Sequence, residues 1–123
     1  MSIKNFKNNR IATASLIRFV LVGDLSVREA INQFPPDTED SSIEAAYHAL
    51  MHYEADEDLR RRDSLYRQEQ DDYLMMIADT LETGENLPNN IIENYRKFYK
   101  EASIPHQKNK LGALKSFWRN LNI

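Results

Sequence analysis

A chain of 123 residues has room for one hydrophobic core, and 41% hydrophobic with 28% charged residues is the balance of a soluble globular domain, not of a disordered segment. The absence of cysteine excludes a disulfide framework and any thiolate metal site, and no stretch approaches the roughly 20 apolar residues that a bilayer span needs. The net charge of −3 hides a segregation: residues 1–36 and 86–123 are basic, while residues 37–85 carry most of the acid. Such a pattern favours basic ends folding back on an acidic centre.

Three glycines and four prolines leave few turns, which argues for long helices over many short strands. Residues 1–10 are polar, rich in Asn and Lys, and expected to be a flexible N-terminus. The segment Ile11–Val22 is apolar nearly all round, with Arg18 as its only charge, and the expectation is a buried central helix. Gly23 stops it. Asp24 or Ser26 can cap a second helix over Val27–Phe34, which Pro35 and Pro36 end.

Ser41 and Glu44 have the spacing of a capping box at the head of a third helix, with Ile43, Ala46, Tyr47, Leu50 and Met51 on one side. The pattern breaks around Ala55–Asp58, where a bend or a new helix is expected, and Asp63–Ser64 offers another cap. The stripe Leu65, Tyr66, Tyr73, Met76, Ile77, Thr80 and Leu81 predicts a helix ending at Gly84. Pro88 opens the next, whose face is Ile91, Ile92, Tyr95, Phe98, Tyr99 and Ala102. A last amphipathic segment over 108–123 carries Leu111, Leu114, Phe117, Trp118 and Leu121. The fold expected is all-α: residues 11–123 as a compact single-domain helical bundle or orthogonal array of about five to six helices, with 108–123 a detachable amphipathic helix.

Four patterns could carry chemistry. Glu44, His48, His52 and Asp56 are each four residues apart, which sets two imidazoles and two carboxylates on one helical ridge. Two such histidines can hold a divalent metal, yet Ala49 stands where a zinc-protease helix has its glutamate. Because the ridge lies away from Ile43, Tyr47 and Leu50, the expectation is a solvated face. Glu54, Glu69 and Asp72 interrupt otherwise apolar faces, and nearby Arg60, Arg61, Arg62 and Arg67 suggest structural ion pairs. Ile11–Phe34 has the outline of a helix-turn-helix, with Arg28, Asn32 and Gln33 as the base readers, but the presumed recognition helix is hardly basic. Arg96, Lys97, Lys100, Lys108, Lys110, Lys115 and Arg119 interleave with aromatics, as in surfaces that track nucleic acid. No phosphate-binding glycine loop, nucleophile elbow or cysteine nucleophile is present, and no cofactor is implied.

The leading expectation is therefore a non-catalytic protein-interaction or regulatory module of the cytoplasm. It would act through a protein partner or through self-association, with the apolar tail Leu111, Leu114, Phe117, Trp118 and Leu121 as the contact surface. The alternatives are a nucleic-acid-binding accessory protein using the basic carboxyl-terminal third, and a metal-binding helical protein using His48 and His52.

Overall fold

The computed structural model describes residues 3–35 and 39–99. Among these the chain forms six helices and no strand: α1 (Ile3–Leu21), α2 (Val27–Asn32), α3 (Ser41–Ala55), α4 (Glu57–Arg62), α5 (Ser64–Glu82) and α6 (Asn89–Tyr99). The all-α expectation is met. Among the described residues no helix is long and apolar enough to cross a membrane.

The helix boundaries follow local chemistry. Gly23 and Gly84 terminate α1 and α5 at φ +84° and +83°, a conformation that a Cβ disfavours. Ser26 caps α2 in a complete capping box with Glu29, each side chain bonding the other's backbone amide. Asp63 caps α5 by accepting from the amides of Leu65 and Tyr66. The break around Asp56 separates α3 from α4, as the loss of periodicity predicts.

α3 is the hub. It touches each of the other five helices. Ala45, Ala46, Tyr47, Ala49, Leu50 and Met51 are buried in succession, so no apolar stripe can be told from a polar one along its middle. Its alanines let neighbouring helices approach on several sides. This corrects the expectation that the first helix is the buried centre. α1 is two-sided: Ala14, Ile17 and Val20 are buried against the rest of the protein, while Ile11, Phe19 and, just past its last residue, Val22 are 37%, 46% and 69% exposed.

The first helix also begins earlier than the apolar segment Ile11–Val22 suggests. Residues 3–10 form the first turns of α1. Arg10 explains why. It is buried, its guanidinium stacks on the Phe6 ring at 4.3 Å, and it holds the chain at three distant points. Nε and Nη2 donate to the Asp40 carboxylate at 2.8 and 3.1 Å, Nη1 donates to the Gly84 carbonyl at 2.9 Å, and Nη2 reaches Asn86 Oδ1 at 2.7 Å. Asp40 is in turn the N-cap of α3, accepting from the amides of Ser42 and Ile43. The Ser41–Glu44 capping box is therefore not formed; the cap lies one residue earlier, where Arg10 fixes it.

The acidic centre does gather the basic N-terminal region. Besides Arg10–Asp40, Arg18 on α1 bonds Asp79 and Glu82 of α5 at 2.6 and 2.9 Å, and Arg28 on α2 lies 3.6 Å from Glu54. On α5 the buried set is Leu74, Ile77, Ala78 and Leu81, whereas Leu65 is 66% exposed and lies off the expected stripe.

Candidate functional site

The concave feature of most chemical interest lies between α3 and α6. α6 is set down on α3 by its own start: the Leu87 amide donates to Ser42 Oγ at 3.0 Å, and the Pro88 carbonyl accepts the first helical bonds from Ile91 and Ile92. From there Ile91 and Ile92 are buried and Tyr95 packs against the core. The cleft so formed encloses about 170 Å³ between Ser41, Glu44, Ala45 and His48 of α3 and Ile92, Tyr95 and Arg96 of α6.

This placement overturns the solvated ridge. His48 is only 2% exposed because α6 lies over it. Its ring stacks on Tyr95 with centroids 6.0 Å apart and meets Tyr47 edge-on at 5.2 Å. Burial pulls the His48 pKa down to about 4, so the imidazole is neutral near pH 7. Desolvation raises the Glu44 pKa, and the nearby Arg96 guanidinium opposes that rise. The cleft thus has an aromatic, neutral floor and one acid and one base at its mouth. Tyr73 meets Tyr95 through their hydroxyls at 3.4 Å, which ties α6 to α5 as well.

The other half of the ridge is occupied in joining helices. Asp56 is buried and accepts from Tyr66 Oη at 2.5 Å and Arg60 Nε at 3.2 Å, with His52 Nε2 at 3.9 Å. Arg60 also covers the Tyr53 ring at 3.5 Å and bonds the Tyr53 carbonyl, while Tyr53 Oη donates to Asp71. The ridge is thus divided: Glu44 and His48 line the cleft, while His52 and Asp56 lie together in the cluster that joins α3, α4 and α5. Among the described residues no group of three or more His, Cys, Asp or Glu side chains is placed to hold a metal ion.

The remaining sequence candidates fall as follows. Of the acids on apolar faces, Glu54 pairs with Arg28, while Glu69 and Asp72 are exposed. Arg28, Asn32 and Gln33 are exposed on and just after α2, a helix of six residues, and the Gln33 side chain bonds back to the Glu29 carbonyl. Arg96 and Lys97 are exposed on α6, and Arg96 sits 3.6 Å from Glu93. Lys100, Lys108, Lys110, Lys115 and Arg119 lie outside the described residues, as do Leu111, Leu114, Phe117, Trp118 and Leu121.

Sequence reasoning missed Arg10 and Asp40, although a signal existed. If the first helix is extended upstream, Arg10 falls four residues before Ala14 and seven before Ile17, on the buried side. A charge on a core stripe announces a buried partner. Comparison with known proteins yields no likeness to build on: no family model, no curated protein and no solved structure matches the chain.

Proposed function

We propose that this chain is a non-catalytic protein-interaction or regulatory module of the cytoplasm, and that α1 presents its contact surface. The observation that carries the reading is the outer side of α1. Large apolar side chains there, Phe19 and Val22 above all, stay in water although the rest of the helix is firmly anchored by Arg10 and Arg18. A rigid helix with an uncovered apolar strip is a ready-made ligand for another helix or groove. The Arg10 and Asp56 clusters support the same reading, since they knit α1, α3, α4 and α5 into a stiff scaffold behind that strip.

A photo-crosslinking residue placed at Val22 tests this. It should capture protein in cells expressing the chain, and Phe19→Glu in the same chain should abolish the capture. A strip that captures no protein contradicts the proposal. The tail, as a second contact surface, is tested by deleting 108–123; unchanged partners on deletion count against it.

A further inference from the structure

The cleft between α3 and α6 carries two opposite charges that face one another without meeting. Glu44 is half-buried on the α3 side, and Arg96 is exposed on the α6 side, near enough to act on the Glu44 carboxyl through its charge. Yet among the described residues the Glu44 carboxylate accepts no hydrogen bond and joins no ion pair. Arg96 reaches only Glu93, on its own helix, at 3.6 Å. The half-buried Ser41 hydroxyl beside them has no hydrogen-bond partner among the described residues either. A cleft whose polar groups converge without using one another is shaped for a bound molecule. We infer that it binds a free α-amino acid with a branched aliphatic side chain, its ammonium on Glu44, its carboxylate on Arg96 and its side chain against Ala45 and Ile92.

Charge, lining and volume each narrow the choice. A plain anion would meet the Glu44 carboxylate and a plain cation the Arg96 guanidinium, whereas a zwitterion finds a complement at both ends. The start of α3 does not compete for the carboxylate, because Asp40 already accepts from the amides of Ser42 and Ile43. Beneath the charged rim Ala45 and Ile92 are apolar, and burial keeps His48 neutral beside Tyr95. Such walls favour a hydrocarbon side chain over a polar one. The volume of about 170 Å³ lies well below the roughly 300–1,000 Å³ of cofactor and drug-sized pockets, so a nucleotide is too large and a single amino acid is not. The cleft shares no residue with the outer side of α1, and the inference stands apart from the interaction reading.

Isothermal titration calorimetry of the purified full chain with leucine, valine and isoleucine tests the site. Leucine should bind. Isocaproate, which lacks the ammonium, isoamylamine, which lacks the carboxylate, and glycine, which lacks the side chain, should each bind at least about tenfold more weakly. Addition of leucine should shift the methyl NMR signals of Ala45 and Ile92. Glu44→Gln and Arg96→Gln, both at the rim, should stay folded by circular dichroism and lose about tenfold or more in affinity for leucine. Each variant also identifies the end it holds: Arg96→Gln should bind leucine no better than isoamylamine, and Glu44→Gln no better than isocaproate. A chain that gives neither heat nor methyl shifts with any of the three amino acids at millimolar concentration overturns the inference. So does binding of isocaproate or isoamylamine as tight as that of leucine, or leucine affinity unchanged in both variants.

Discussion

Asp40→Ala strikes the buried Arg10–Asp40 cluster, and its effect can be worked out from the geometry. The Arg10 guanidinium keeps Gly84 and Asn86 but loses both carboxylate contacts while remaining buried; the paired side chains are only 3% and 1% exposed, so solvent cannot take over. Removing one partner of a buried pair costs about 3–5 kcal/mol. The same change strips the N-cap of α3, a further loss of about 1 kcal/mol. The sum is a large share of the roughly 5–15 kcal/mol that holds a domain folded. Asp40→Ser separates the two effects, because serine still caps and only the ion pair is lost. Adding Arg10→Met to Asp40→Ser removes the stranded cation, so the double variant should be more stable than Asp40→Ser alone. Urea unfolding followed by far-ultraviolet circular dichroism measures all of these. A loss below about 1 kcal/mol for Asp40→Ala, or strict additivity of the two single changes, refutes the reasoning.

Three further outcomes follow from buried groups. His48 is held neutral by burial, so on acidification the unfolded chain takes up its proton first; the stabilisation is complete above about pH 6.5 and is lost as pH falls toward about 4, amounting to about 2 kcal/mol by about pH 5. His48→Leu should flatten that slope in urea midpoints taken across the window, while Glu44→Gln should steepen it, since the raised carboxyl works in the opposite direction. Tyr47→Phe should raise stability by about 1 kcal/mol, because the Tyr47 hydroxyl is fully buried with no hydrogen-bond partner among the described residues. Tyr66→Phe, the same chemical change, should instead lower it by about 1.5–3 kcal/mol, because it takes a donor from the buried Asp56 carboxylate. Thermal melts of the two variants side by side read the opposite signs.

What could be read from the sequence was whatever is settled within a turn or two of chain. Gly23, Gly84, Ser26 and Asp63 act on their immediate neighbours, and each marks the boundary it was expected to mark. The face of α6 was legible in Ile91, Ile92 and Tyr95 because only one side of that helix is covered. α3 misled for the opposite reason. A helix enclosed on several sides has no outward stripe, so His48 passed for a surface residue until α6, more than forty positions later, came to lie on it. Arg10 was likewise invisible, since its partners Asp40, Gly84 and Asn86 come from two distant turns. Ile11–Val22 looked apolar all round because Ile11, Ala12, Phe19 and Val22 on its outer side are apolar too.

The account depends on Phe19 and Val22 being covered by another chain. Side-chain solvent exposure of the full chain, read by NMR with a soluble paramagnetic probe over a concentration series, tests this directly, with the 66% exposed Leu65 as internal reference. The predicted result is that Phe19 and Val22 become shielded as concentration rises while Leu65 stays wet. If all three remain equally accessible at every concentration and the Val22 photo-crosslinker captures no other protein, the strip is bare surface and the account fails.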